Sequence, residues 1–359
     1  MGKKILPFEE KPVITAYPHY SFMCSMIQTK PNGLEWIFQT YTQLVGYYYE
    51  SPQYCDAKVA FYPWAGQSDG DLWNICPFID KMVIPREYIL NTDNHTNFIK
   101  KWIDRGWYLS MYIDEFFRDD IQEVGVYYHP LMIFGYDDDE QVLYCADCFE
   151  NWVYGVKKVS YSDFEVASKQ NYPIDNSMYA IQLYTLKDHD IIDYSLPFLR
   201  KQLLEYINRE CDDYYLKTQF IDGAWSYGEG NGVGYVCYGL DVFGLMKKVL
   251  EDVRDGVRDW NIKFISTPDF RLIRDHADLM QKRYEFLIEK YHMTPNEGLQ
   301  ELMKNQVTAA MIMENQLLKY VLSKRDKILD KLINSLQTFE ETEKLIAGTM
   351  WREIGGTDE

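Results

Sequence analysis

The sequence is as informative for what it lacks as for what it holds. Nowhere do about 18 apolar residues run together, the length a membrane-spanning helix needs, so no membrane span is expected. Met1 to Pro12 carries charges and no apolar run, so no export leader is expected either. The seven cysteines are odd in number and lack framework spacing, which argues against a disulfide scaffold and for reduced thiols in a cytoplasm. Basic side chains are in deficit, 37 against 55 acidic, leaving a net charge of −18. A chain so acidic repels phosphate backbones, which sets nucleic acid aside, and attracts a cationic small molecule such as an amine. An acidic carrier protein would be repelled overall and would need a local basic patch. Lys100, Lys101 and Arg105 could supply one, as could Lys157 and Lys158. No internal repeat and no low-complexity tract is evident.

What is present is aromatic. Thirty tyrosines suit a Tyr-rich core, and equally a deep, partly wet cleft. With 359 residues the chain is long for one core and is expected to form two domains. After Pro31-Asn32-Gly33, Leu34 to Leu44 has helical spacing, and Tyr47 to Pro77 reads as a long ordered loop. Phe98 to Ile103 is helical. The period then changes: Trp107–Phe117, Tyr127–Tyr136, Gln141–Phe149 and Trp152–Val159 read as strands, the middle pair joined at the polar turn Asp137-Asp138-Asp139-Glu140. Ser160 or Ser162 can cap a short helix through Ala167, and Met178–Leu186 gives a last strand. Beyond Pro197 helices are expected at Phe198–Glu210, Tyr238–Arg254, Phe270–Tyr291 and Gly298–Leu345. The fold class is therefore α+β: an antiparallel-sheet domain over 1–190 and an α-helical domain over 191–359.

One constellation could do chemistry. His129 opens one hairpin strand and Asp147 lies near the end of the next, 18 residues on. With the turn near Asp138 and Asp139, antiparallel pairing brings the two roughly opposite each other. A carboxylate there can accept from one imidazole nitrogen and fix the tautomer, leaving the other nitrogen to take a proton from a nucleophile. A thiol at the start of an upstream helix would suit, because the helix N-terminus favours the thiolate. Cys24 lies 105 residues before His129, with Cys55 and Cys76 as competitors, and His19 or Tyr20 could help hold an oxyanion.

Other patterns carry less. Cys145-Ala-Asp-Cys148 matches CxxC, but odd spacing on a strand sends the thiols to opposite faces, and no second pair exists for a metal. Gly228-Glu-Gly-Asn-Gly232-Val-Gly234 lacks the lysine and the strand–turn–helix setting of a phosphate loop, and reads as a flexible loop. Asp269-Phe270-Arg271 with His276, Met280 and Arg283 has helical spacing and reads as a polar seam between domains, while Met303, Met311 and Met313 read as core filling.

The run from His129 to Asp147, with Gly106-Trp-Tyr-Leu and Tyr112-Ile-Asp114 before it, resembles the family of butirosin biosynthesis protein H. The Asp269-Phe-Arg…His276…Met280…Arg283 stretch resembles that family's second part. The resemblance implies a papain-like domain followed by a helical one. It also implies a cysteine acyltransferase that moves an acyl group from a carrier-protein thioester to an amine in antibiotic biosynthesis, as in the related transamidase of the closthioamide type. On that basis Cys24 would attack a thioester on a phosphopantetheine arm, and His129, oriented by Asp147, would take its proton. A small amine would then resolve the acyl-enzyme, with no metal and no cofactor of the chain's own. An aromatic cleft and the helical domain would keep water out. The sequence departs from the family at one point: His-Cys at the helix start is missing, and His19 and Cys24 are five apart. Hydrolysis by the same residues, as a peptidase or thioesterase, and a non-catalytic protein holding a carrier or its cargo are the rival expectations. The long C-terminal helix leaves self-association open.

Overall fold

The polar run after Tyr136 makes the chain reverse. One Asp137 carboxylate oxygen accepts the backbone N–H groups of Asp139 and Glu140 at 3.0 and 3.1 Å, and Gln141 closes the turn at φ 56°. The apolar runs on either side then pair as antiparallel strands β6 (Tyr128–Asp137) and β7 (Val142–Cys148). In this computed structural model the described residues are 2–51, 54–62, 76–115, 128–149, 152–169, 180–188, 194–211, 224–225, 233–260 and 265–356. They fall into two units, Met1–Leu34 with Ala65–Ile192, and Glu35–Trp64 with Asp193–Glu359.

In the first unit the hairpin is part of a seven-stranded antiparallel sheet. Its order is β4 (Ile79–Ile84), β9 (Ile181–Leu186), β5 (Tyr108–Asp114), β6, β7, β8 (Tyr154–Ser160). Strand β1 (Lys3–Ile5) pairs with Gly135–Asp137 of β6, beyond the stretch of β6 that β5 covers. Helix α1 (Pro18–Ile27) starts at a proline, which suits the first helical position, and packs on β7. Pro31 and Asn32, the latter left-handed at φ 60°, separate it from α2 (Gly33–Thr40), and a Cβ on Gly33 would lie 1.8 Å from the Ile27 carbonyl oxygen, so only glycine fits there. The remaining helices of this unit are α3 (Glu87–Leu90), α4 (His95–Ile103) and α5 (Tyr161–Lys169). Ser160 caps α5, its hydroxyl accepting from the Asp163 N–H at 3.0 Å.

The second unit departs from the expected purely helical domain. Residues 47–62, read as part of a loop, and Gln43-Leu44, read as the end of a helix, form a hairpin of β2 (Gln43–Ser51) and β3 (Tyr54–Tyr62). Together with β10 (Ala224–Trp225) and β11 (Val233–Tyr238) it makes a four-stranded antiparallel sheet in the order β10-β11-β2-β3. The aromatic and β-branched content of this run is strand chemistry, and the consecutive tyrosines 47–49 obscured its alternation. Helices α6 (Leu196–Asn208), α7 (Asp241–Arg254), α8 (Thr267–Tyr291), α9 (Glu297–Ser323) and α10 (Asp326–Glu353) complete the unit. The helix expected over Gly298–Leu345 is two, because Lys324 takes a left-handed conformation at φ 52° and ends α9. Met303 and Met313 are core, but Met311 is exposed. Most of the Gly228–Gly234 segment lies outside the described residues. Among the described residues no helix is long and apolar enough to cross a membrane.

The Asp269–Arg283 stretch, expected as a seam between domains, is a seam within the second unit. It ties α8 to the excursion at 35–64. Asp269 accepts from the Val59 N–H, His276 Nε2 bonds the Thr42 carbonyl at 3.0 Å, and Arg283 donates to the carbonyls of Phe38 and Tyr41. Beside it Glu343 is wholly buried. It accepts from Tyr206 and Gln306, with His276 Nδ1 3.6 Å away. Burial pushes the Glu343 carboxyl up to about 7, against those hydrogen bonds and the Arg283 charge, and pushes the His276 imidazole down to about 3. Because the Glu343 value is raised on folding, its contribution is complete below its ordinary 4.5 and is lost as pH rises through about 7. His276 acts the other way: its contribution is complete above 6.5 and is lost as pH falls towards about 3. Glu343→Gln keeps the hydrogen bonds without the charge. It is expected to gain stability over the parent at about pH 8, by roughly 3 kcal/mol, and little at about pH 4. Thermal unfolding at the two pH values measures this, and an equal effect at both contradicts it.

Candidate active site

The register of the central hairpin decides which side chains meet. From Asp137↔Val142 to Gly135↔Tyr144 the strands pair regularly, then the register shifts by one residue at Phe134 to give Ile133↔Cys145 and Met132↔Ala146. Continued one step, that pairing sets Asp147 opposite Leu131, so His129, two residues further along β6, shares its face. Without the extra residue Asp147 would fall opposite Met132 and point away from His129, since a one-residue slip inverts every side chain. Gly135 sits at the shift because β1 crosses there: a Cβ would lie 2.9 Å from the Lys4 carbonyl oxygen.

The result is a direct contact. His129 Nδ1 is 2.5 Å from Asp147 Oδ2. The other carboxylate oxygen accepts from the Cys148 backbone N–H at 2.6 Å, which fixes the carboxylate. The Asp147 side chain is 0% exposed and that of His129 is 18% exposed, so the orienting group is sealed and the imidazole is not. With Nδ1 engaged by the carboxylate, Nε2 is the nitrogen through which the imidazole would exchange a proton. The indole of Trp152 stands edge-on to the imidazole, ring centroids 6.1 Å apart. Trp152 is itself exposed and held at φ 60°, a conformation that bulky residues rarely adopt.

Two further residues belong to the site, and the sequence pattern did not point to either. Glu115 follows the end of β5 and is wholly buried; its carboxylate, the Asp147 carboxylate and His129 Nδ1 all lie within 4.8 Å of one another. The signal was available in the pairing Ile113↔His129, which puts residue 115 on the His129 face, but only once the register was known. Two ionised carboxylates at that spacing would repel by roughly 3 kcal/mol at an effective dielectric of about 20, which favours a proton or a positive charge held between them. Among the described residues this trio alone has metal-ligand composition and spacing. A zinc-like ion would need its ligand atoms about 3 Å or more apart, and so would have to part the His129–Asp147 hydrogen bond. The second residue, Tyr154, links α1 to the pair. Its hydroxyl bonds Ser25 Oγ at 2.8 Å. Burial holds its phenol well above the usual range, and the neighbouring Cys148, Asp147 and Cys24 raise it further.

Cys24 does not have the expected setting. A helix-start thiol was expected, but Cys24 is the seventh residue of ten-residue α1 and is 0% exposed. The favourable field of a helix N-terminus falls off within the first turn. The first turn instead carries His19 and Tyr20. Their rings are 4.5 Å apart, with His19 also stacked on Tyr17, and Tyr20 is wholly buried. Burial pushes the His19 imidazole down to about 3, so it is neutral at ordinary pH. The competitor Cys76 is buried and its thiol is pushed up to about 12, mainly by burial. The side chain of Cys55 lies outside the described residues. Of the basic patches, Lys100 pairs with Asp138 at 2.5 Å and Lys158 pairs with Glu140, so both spend charge on the acidic turn.

No family model matches this chain, and no curated protein is similar to it at a significant level. The geometry makes its own demand: with Asp147 accepting from Nδ1, neutral His129 must carry its proton there. Nitrogen-15 chemical shifts of the imidazole are expected to report the Nδ1–H tautomer in the parent and a move towards Nε2–H in Asp147→Leu. An Nε2–H tautomer in the parent chain contradicts this arrangement.

Proposed function

We propose that the first unit is a papain-like acyl-transfer domain that forms an amide, passing an acyl group from a carrier-protein thioester to a small amine. The observation that carries this reading is the His129–Asp147 contact, a sealed carboxylate orienting a partly open imidazole. Such a pair removes a proton from an attacking nucleophile and returns it to a leaving group, the service acyl transfer needs. A thioester passes downhill to an amide, so no nucleotide is required. The net charge of −18 attracts a protonated amine to the protein, and His129 then supplies the base that takes the proton attack requires it to lose. The exposed Trp152 ring beside His129 offers an apolar wall for an acyl chain or pantetheine arm.

A second reading has its own observation. The burial of Cys24, with Tyr20 in the first turn of α1, also suits a non-catalytic protein that keeps the fold to hold a carrier or its cargo. Hydrolysis by the same base differs from transfer only in whether water or amine attacks. One experiment separates the three. The chain is incubated with N-acetylcysteamine thioesters of acetate and benzoate, with and without a panel of primary amines and diamines. Transfer gives amide, hydrolysis gives free acid even in excess amine, and a binding protein gives neither above background. We expect amide, and a fall of about 10²- to 10⁴-fold in its rate in His129→Ala, the range a general base contributes.

A further inference from the structure

We propose that Trp152 selects the acyl group: its indole forms one wall of the acyl site beside His129, and the donor it suits is a thioester of an aromatic or long apolar acid. This rests on the acyl-transfer reading above and deepens it, naming the class of acyl group and the residue that chooses it.

The inference starts from a conformation. The Phe149 N–H donates to the Val153 carbonyl and the Trp152 N–H to the Phe149 carbonyl, both at 3.0 Å, and these bonds close the connection from β7 to β8. Its last position before Val153 is Trp152, left-handed at φ 60°. Short hairpin connections usually put glycine at a left-handed position, because a Cβ strains the backbone there. Tryptophan is costly at this turn on a second count: it is 41% exposed, and Val153 beside it is 55% exposed. Strained residues cluster at sites that bind or react. Here the strained residue lies against the base, its ring edge-on to the His129 imidazole with centroids 6.1 Å apart.

The register brings the turn to that place. Asp147 pairs with Gly155 and Cys148 with Tyr154, so β7 and β8 end together one residue pair beyond the orienting carboxylate. His129 lies at the same end of the sheet, near the start of β6. A base works within about 3 Å of the atom whose proton it takes, and the carbonyl under attack lies one forming bond beyond. The substituent of that carbonyl therefore falls within reach of a ring that stands against the imidazole.

Chemistry decides which substrate the ring meets. An indole followed by an exposed valine is an apolar surface, and what it draws from water is apolar. The amine arrives charged and is drawn by carboxylates. The pantetheine arm is the same in every donor and offers nothing to choose. The acyl chain is the part that is both apolar and variable.

The test measures kcat/KM for amide formation by the full chain with acetyl, octanoyl and benzoyl thioesters of N-acetylcysteamine, with each amine of the panel in turn. The intrinsic reactivity of each thioester cancels when its ratio to acetyl is compared between parent and variant. In Trp152→Ala the benzoyl-to-acetyl and octanoyl-to-acetyl ratios are expected to fall about tenfold, and in Trp152→Phe to keep most of their parent values. Trp152→Gly is expected to lose selectivity as Trp152→Ala does while melting at a higher temperature, since glycine relieves the left-handed strain. Acyl ratios that stay within about threefold of the parent's, whether all rates fall together or none do, overturn acyl selection and leave the acyl-transfer reading standing. A changed choice among amines with an unchanged choice among acyl groups does the same, and assigns the ring to the amine. A Trp152→Gly chain no more stable than Trp152→Ala overturns the strain from which the inference starts. If Trp152→Ala does not fold, the Trp152→Gly ratios decide. No amide above the His129→Ala background with any thioester overturns both the inference and the reading beneath it.

Discussion

A single extra residue in β6 sets what this site can do. The register shift at Phe134 turns the outer part of the hairpin by one side-chain face, so that His129 and Asp147 meet at 2.5 Å instead of pointing apart. Other features serve that shift. Gly135 lets β1 cross close to it, the acidic turn anchors the hairpin through Asp137 and Asp138, and β5 holds the far end of β6 by pairing Ile113 with His129. Bulges that re-aim a side chain beside a reacting centre are a common device, and here the residue that is re-aimed is the proposed base's partner.

The contact also organises charge. Asp147 is spent on His129 and on the Cys148 N–H, so it is not free to act on a substrate. Glu115 adds a second buried carboxyl group, with a ligand atom within 4.8 Å of those of Asp147 and His129. The Cys145 thiol is held well above the usual range by burial first and by Glu115 and Asp147 second.

Much of this was legible in the sequence. The alternation from Trp107 to Val159 and the polar turn at Asp137–Glu140 gave the hairpin, and the hairpin gave the pairing of His129 with Asp147. The bulge was not legible, because Phe134 breaks no pattern of hydrophobicity; only the register exposes it. Roughly opposite placement was thus expected, where a diagonal contact occurs. Cys24 was singled out by its distance from His129, but distance along the chain says nothing of depth in a helix, and the burial of residues 20 to 27 follows from packing on β7. The β2–β3 hairpin was missed because its strand partner, β11, comes nearly 200 residues later, beyond the reach of local patterning. Lys324 ended a helix with no glycine or proline to announce it; its ammonium instead sits over the rings of Trp260 and Tyr320.

The central claim is that Asp147 makes His129 a working base, and the rate of amide formation in Asp147→Asn tests it most directly. Asparagine keeps the size and burial of the side chain but can offer its NH₂ to Nδ1, favouring the wrong tautomer. The account predicts a folded protein whose rate falls by about 10²-fold or more. An Asp147→Asn chain that forms amide as fast as the parent would contradict it.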